Sequence, residues 1–416
     1  MSHASFIRLA NVSLRGLTLL SKFVLLFFLA KFLQAADVGM YGLLTASIGY
    51  ALYAIGLEFY NFACREMIGA NRRNWLAMIR DQVVVYSLMY LAVLPLSLII
   101  FAKGWLPWEY AIWVYVLLFF EHMAQELNRI LVALSEQLLA SFVLFMRSGI
   151  WCLAVVGIMW LWPEFRTLTF CLASWLVGAI IACAIAIKKL NTYDKSSLAK
   201  AIDWKWIKLG IKVALPLLGA SLALRGIFTF DRYLVEGASG LEVLGPYVLF
   251  VGIVTAILSF LDAGVVVFFY PKLVAAAKAH DEVAFRLDMK RLALNVMAVT
   301  LVLAFVCVLT VKPVISWLNN PAYEGQLPML YWLLLAIIIY AASLIPHLGL
   351  YAFSYDSPLY RSQIVACIFF VIGAYFGSQI YGVMAIPQVM CAAFFIMLLW
   401  KAIAFHRMLK LMHPAP

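Results

Sequence analysis

The sequence predicts an all-α polytopic membrane protein, with twelve transmembrane helices in two six-helix lobes related by a pseudo-two-fold axis. Three observations carry this. Of the 416 residues, 66% are hydrophobic and only 12% charged, a balance foreign to soluble domains. Apolar runs of about 20 residues, enough to cross a hydrocarbon core of roughly 30 Å, recur along the chain between short polar breaks. Basic residues crowd into alternate breaks, as they do in loops that stay on the cytoplasmic side. Helices follow because a backbone in lipid must satisfy its own hydrogen bonds. The strands of a β-barrel would alternate apolar and polar residues instead.

Taken in order, the first span, 14–33, carries Lys22 within its apolar stretch, with Arg15 and Lys31 near its two ends, and gives way to FLQAAD, which resembles a signal-peptidase site. The lysine inside the apolar region argues against a removable leader. The second, 40–62, carries Glu58 low in its helix, and the third is 82–102. The fourth, 109–132, contains FFEHMAQELNRILVAL, in which His122, Glu126 and Arg129 share one helical face with Glu121 beside it. Arg147 lies in the fifth span, 139–161, and the sixth is 167–187. Residues 1–187 form the expected N-terminal lobe. A linker, 188–211, mixes lysines with Trp204, Trp206 and Ile207, a composition suited to lying along cytoplasmic headgroups. The C-terminal lobe, 212–416, opens with a span over 212–233 that holds Arg225, Asp231 and Arg232. Spans follow at 243–268, 292–315, 327–350, 360–380 and 382–403, with PKLVAAAKAHDEVAFRLDMKRLA extending the eighth and ninth into the cytoplasm.

An even number of spans puts both termini on one side. With the N-terminus inside, cytoplasmic segments hold 22 of the 31 basic residues, among them Arg8, Arg361, Lys401 and Arg407. The +11 formal charge is thereby explained by membrane orientation, and nucleic acid is not an expected partner. The seven cysteines are scattered through apolar runs and have the character of small core residues, not of a disulfide framework or metal site.

The two lobes carry a faint repeat. A shift of 206 residues sets Gly39 on Gly245, Tyr41 on Tyr247 and Leu43 on Leu249, and brings Glu58 and Asp262 nearly into register. Six spans per lobe make these parallel repeats. The same shift takes Lys22 to Phe228, one helical turn from Arg225, so each lobe opens with a helix bearing one mid-membrane cation. Two such cations facing across the axis would line a central cavity.

A buried cation costs at least about 2.5–3.5 kcal/mol on insertion scales and therefore faces water, a partner or a ligand. Arg225 is either a ligand contact or one half of an ion pair with Asp231, Glu121 or Glu126. Asp231 and Arg232 lie near the outer boundary, where snorkelling tolerates charge, and are candidate gate residues, as are Glu58 and Asp262. Glu121, Glu126, Arg129 and Arg147 are either a self-neutralising seam between helices or a cavity and ion-coupling group. His347, after Pro346, has the character of a hydrogen-bonded packing histidine. No nucleophile elbow, metal cluster or phosphate loop appears in the sequence. An enzyme is not expected, nor a cofactor; transport would draw on a proton or sodium gradient, the membrane potential or the substrate gradient.

The passages ADVGMYGLLTASIGYALYAIGLEFYNFACREM, FTFDRYLVEGASGLEVLGPYVLF and FFYPKL, on this twelve-span plan, resemble the polysaccharide transporter (Wzx-like) family of the multidrug/oligosaccharidyl-lipid/polysaccharide (MOP) exporter superfamily. The resemblance implies a MOP flippase-like fold and a bacterial inner-membrane flippase. Its cargo would be an undecaprenyl-diphosphate-linked oligosaccharide, an O-antigen or other surface-polysaccharide repeat unit, moved from cytoplasmic to periplasmic leaflet by alternating access. Partners implied are that lipid-linked glycan, membrane lipids, a polysaccharide polymerase and a chain-length regulator. Lys22 and Arg225 are the expected diphosphate contacts, chosen by depth and helix face. Alternatives are a multidrug or metabolite exporter of the same superfamily, a major-facilitator carrier and a membrane glycan polymerase or ligase. The loop REMIGANRRNWLAMIRD lacks the full major-facilitator pattern, and no long outer loop suits a polymerase.

Overall fold

The computed structural model describes the backbone of residues 3–412 and the side chains of residues 10–410. Residues 1–2 and 413–416 of the expected lobes, and the side chain of Arg8, lie outside the described residues. Ten helices among the described residues are long and apolar enough to cross a membrane. Their outward residues are apolar: Leu91, Ile112, Phe305 and Tyr381 are 63–77% exposed, a surface that suits hydrocarbon and not water. The chain is an integral, all-α membrane protein.

One of the ten runs Trp204–Lys278, 75 residues, or about 112 Å if straight, far more than one crossing needs. It folds back on itself. Tyr247 Oη stands 3.0 Å from Asp231 Oδ2 although 16 positions separate them; on a straight helix they would be about 24 Å apart. The reversal falls at Gly240, whose φ of 76° and ψ of 177° belong to a region essentially reserved for glycine. Helix α9 (Trp204–Leu261) is therefore a hairpin of two crossings. Helix α5 (Ala111–Ala133) is also long enough to span, but its polar row makes it less apolar than the ten. The second hairpin arm and α5 bring the ten crossings to twelve.

The chain forms two compact units. Unit 1 holds the residues up to Leu33 and Leu43–Leu222. Its helices are α1 (His3–Phe32), most of α2 (Ala35–Gly56), α3 (Tyr60–Gly69), α4 (Trp75–Ala102), α5, α6 (Gln137–Phe145), α7 (Trp151–Leu161), α8 (Leu168–Leu190) and the start of α9. A π-helical turn, Met146–Ile150, joins α6 to α7 within one crossing. The core sets α5 against α6 and α8, with Ala124, Ala140, Ala182 and Ala186 fully buried beside Leu131 and Val143. Without a hydrophobic drive between helices in lipid, such small residues secure close packing.

The second expected span is not one helix. It breaks after Gly56, where Leu57 and Glu58 take left-handed φ values of 51° and 55°, before α3 begins. Burial of Leu57 and Phe59 in a cluster with Phe62, Val85, Ile207 and Leu218 offsets this strain. The linker also departs from expectation. Trp204 is exposed, but Ile207 is buried and the Trp206 ring packs 5.3 Å from those of Phe59 and Phe62, so these two residues enter the protein core and do not lie on headgroups. Arg80 of α4 holds the segment before them, donating to the carbonyls of Leu198 (2.9 Å), Ala201 (3.1 Å) and Lys200. Asp194, in the preceding loop, accepts from the Ser196 backbone N–H and hydroxyl at 2.9 and 2.8 Å, which holds its carboxyl below the usual range.

Unit 2 holds Gln34–Gly42 and the chain from Ala223 onward. After the hairpin come a π-helical turn (Asp262–Val266), α10 (Val267–Lys278), α11 (Glu282–Leu318), α12 (Pro321–Glu324), α13 (Leu327–Ala352), α14 (Ser357–Tyr381) and α15 (Ala385–Met412). Asp281 caps α11 by accepting from the Ala284 N–H at 2.9 Å. Leu261, Leu273, Leu292, Val296, Ala341 and Leu348 form the centre of its core. The start of α2 crosses the second arm of α9 at backbone contact. A Cβ on Gly39 would stand 3.2 Å from Gly245 N, and one on Gly245 would stand 2.2 Å from Ala35 O.

Candidate functional site

Helix α5 carries an amphipathic polar stripe, and the fold of unit 1 turns that stripe inward. Glu121, His122 and Glu126 are all under 6% exposed. Glu126 accepts from Tyr86 Oη (2.5 Å) and Gln82 Nε2 (3.2 Å) of α4 and pairs with Arg129 at 2.5 Å. The Arg129 guanidinium also lies over the Tyr60 ring, 3.6 Å from its centroid. One helical face away, Glu121 pairs with Arg147 at 2.6 Å and accepts from Trp175 Nε1 at 2.7 Å. Arg147 sits in the π-helical turn between α6 and α7 and also donates to Gln125 Oε1 at 3.1 Å. Both carboxylates are thus neutralised by an arginine and supplied with further donors, the arrangement that makes a buried charge tolerable. His122 accepts or donates through Nδ1 to Tyr90 Oη at 3.1 Å, while its Nε2 is buried without a partner.

Lys22 lies within electrostatic reach of this group, with Arg147, Glu121 and Cys152 around it. On the same helix Thr18 and Ser21 donate to the carbonyls of Leu14 and Leu17, both at 2.7 Å, and Arg15 Nε donates to Ser141 Oγ at 3.4 Å. Ser21 and Leu25 are buried, whereas Lys22 is exposed and joins no ion pair among the described residues. Since Arg147 already answers Glu121, the charge of Lys22 is left over in the middle of a membrane span.

In unit 2, Asp231 does not snorkel as expected. It is 0% exposed, because the reversal at Gly240 lays Tyr247 against it. Its Oδ2 accepts from Tyr247 Oη at 3.0 Å and its Oδ1 from the Arg232 N–H at 2.7 Å. Arg232 is half-buried and donates through Nη1 to Phe228 O at 2.9 Å, with its Nε buried and unpartnered. Arg225 is exposed on the same arm and within electrostatic reach of Tyr340, as is the exposed Asp262. Glu58 is buried in the break after α2 and accepts from Asn61 Nδ2 at 2.7 Å, not from Arg65.

Some functional candidates escaped the sequence. Lys401, placed with the cytoplasmic basic residues although it falls within the expected 382–403 span, is 1% exposed and donates to Met397 Sδ at 3.1 Å. His347 is not the hydrogen-bonded histidine expected: its Nδ1 is buried without a partner. Gln82 and Tyr86, the α4 partners of Glu126, had only their i, i+4 spacing as a signal. Among the described residues no group of three or more His, Cys, Asp or Glu side chains gathers as a metal site.

No protein-family model and no curated protein sequence matches the chain. Solved structures do. An inward-facing multidrug-resistance MATE transporter of the MOP superfamily superposes with a TM-score of 0.78 at 13% identity, covering 95% of this chain and 96% of that one. The lipid II flippase MurJ, in an inward closed conformation, gives 0.72 at 12% identity over 96% and 87%. A MOP-superfamily transporter from Pyrococcus furiosus gives 0.60 at 14% identity over 98% and 95%. At such identities the likeness speaks to architecture, and the chain carries the fold of the MOP superfamily.

Proposed function

We propose that the protein is a flippase that carries an undecaprenyl-diphosphate-linked oligosaccharide from the cytoplasmic to the periplasmic leaflet of a bacterial inner membrane by alternating access, with both termini cytoplasmic. The observation that carries this reading is Lys22, an exposed cation in a membrane span whose neighbouring carboxylate, Glu121, is already neutralised by Arg147. A glycan diphosphate cannot take its polar head through hydrocarbon unaided, and an unmatched ammonium is a ready counter-charge for it. Arg225, exposed in unit 2, is the second proposed diphosphate contact, its fork suited to phosphate oxygens. The Glu121, Glu126, Arg129 and Arg147 network is the proposed responder to a coupling proton or sodium ion. Glu58, Asp231, Arg232 and Asp262 are the proposed gate residues. The fold likeness to a lipid II flippase is in keeping with a lipid-linked cargo.

Deleting the gene should accumulate lipid-linked repeat units on the cytoplasmic side. Lys22→Ala and Arg225→Ala should fail to clear them while Lys22→Arg does so in part. Normal clearance by both alanine variants at unchanged expression would remove these residues from the cargo site. A second reading, export of an organic cation, is favoured by the exposed carboxylate of Asp262 and by the likeness to a multidrug-resistance transporter. It calls for drug efflux that is lost in Asp262→Asn and retained in Lys22→Ala.

A further inference from the structure

A cleft of about 510 Å³ lies in unit 2 between the start of α14 and the C-terminal half of α15. Its walls are ordered by polarity. On α15, Ile396, Leu399 and Ile403 line it at spacings of three and four, hence on one helical face, and Arg407 continues that face one turn later. From Ile396 to Arg407 the face runs about 16 Å. Trp400, 39% exposed, lines the cleft within the apolar stretch, between Leu399 and Ile403. Across the cleft, Arg361 projects from the first turns of α14, beside Tyr355. Arg361 and Arg407 are both exposed, and neither makes an ion pair among the described residues.

Two arginines without a carboxylate, converging on one opening, are a site for an anion, and guanidinium forks favour phosphate. A free phosphate would use only that end and gain no more than an exposed ion pair. The apolar floor would be left uncovered. A phospholipid uses the whole groove, because an acyl chain can run along the apolar stretch from Ile396 to Ile403 while its phosphate meets Arg361 and Arg407 at the other end. Tyr355, at the arginine end beside the start of α14, suits the headgroup level.

We propose that this cleft binds an anionic glycerophospholipid, its phosphate held by Arg361 and Arg407 and an acyl chain laid along Ile396, Leu399 and Ile403. The site is independent of the flippase reading, since none of its residues is assigned to cargo.

The test is native mass spectrometry of the full chain in detergent, titrated with phosphatidylglycerol and with phosphatidylcholine of the same acyl chains. Wild type should bind the first phosphatidylglycerol more tightly than phosphatidylcholine. Arg361→Ala with Arg407→Ala should weaken that first phosphatidylglycerol about tenfold and leave phosphatidylcholine unchanged. Leu399→Gln with Ile403→Gln, which keeps both arginines, should weaken both lipids, and it stands in should the arginine variant fail to fold. A matched change outside the cleft, Lys290→Ala with Arg291→Ala, should have no effect on the first lipid. Unchanged phosphatidylglycerol affinity in the arginine variant, or an equal loss in the Lys290/Arg291 variant, would overturn the proposal. So would displacement of the lipid by millimolar glycerol phosphate, which would mark a site for a soluble phosphate.

Discussion

Gly39 and Gly245, which a 206-residue shift sets in register, meet at a helix crossing: a Cβ on Gly39 would lie 3.2 Å from the Gly245 amide nitrogen. Neither backbone can retreat without moving a whole helix. Gly245→Ala would drive a methyl to 2.2 Å from Ala35 O, and we expect a loss of about 1–3 kcal/mol, seen as a lower melting temperature in detergent. Gly219→Ala is the contrast, since nothing stands within 4 Å of its Cβ position; it should be neutral or stabilising by up to about 1 kcal/mol. Equal melting of the two variants would contradict the crossing.

The hairpin of α9 depends on a hydroxyl. Tyr247→Phe leaves Asp231 Oδ2 buried with its Tyr247 donor gone, which should cost about 1–3 kcal/mol. In a double-mutant cycle with Asp231→Ala the two losses should be less than additive, because the second change removes the oxygen that the first strands. Strict additivity would mean that the two side chains do not cooperate.

Removing one member of the Glu121–Arg147 pair should be worse than removing both. Arg147→Ala strands a carboxylate at about 5% side-chain exposure, for an expected loss of about 3–5 kcal/mol. Glu121→Gln combined with Arg147→Gln should recover a large part of that, measured by detergent melting of the purified chain. If the single change is as mild as the double, Glu121 has another counter-charge.

A pH effect is expected outside the spans. Burial raises the carboxyl of Asp356, in the loop before α14, above its ordinary 3.8. A carboxyl raised by folding costs nothing while both states are protonated. It destabilises as pH rises through the unfolded value toward the folded one, and the cost then stays constant. Asp356→Asn should therefore melt like wild type near pH 3 and higher than wild type at pH 7. A difference that does not change with pH would assign the effect to packing.

The fold was largely legible because lipid imposes a coarse rule, that runs of about 20 apolar residues become helices, which a single sequence displays openly. Even the register of Gly39 with Gly245 could be found by eye. What escaped detection depended on events between distant segments. The reversal at Gly240 falls in the EGASGLE break between the expected spans 212–233 and 243–268, but that it would lay Tyr247 on Asp231 and bury the carboxylate had no signal in either span. The break at Leu57 and Glu58 places left-handed backbone at two residues that do not favour it, and only the aromatic cluster around Phe59 makes that tolerable. Lys401 looked like a loop lysine because its charge, not its helix face, was what the sequence displayed. Within the candidate site, the row on α5 was visible by its spacing, whereas Tyr86, Gln82 and Trp175 came from neighbouring spans that carry no comparable pattern.

The polar stripe of α5 also bears on how the chain is made. Glu121, Glu126 and Arg129 each disfavour entry into the bilayer by an amount of the order of 3 kcal/mol at mid-membrane on translocon scales. Two of the groups that relieve this, Arg147 and Trp175, are synthesised only after α5. During biogenesis α5 would therefore linger at the insertion machinery, or at the edge of the bilayer, until the next two crossings emerge. A ribosome stalled once α5 has left the exit tunnel but before α8 has done so should leave this segment accessible to aqueous reagents, and one stalled after α8 has emerged should not.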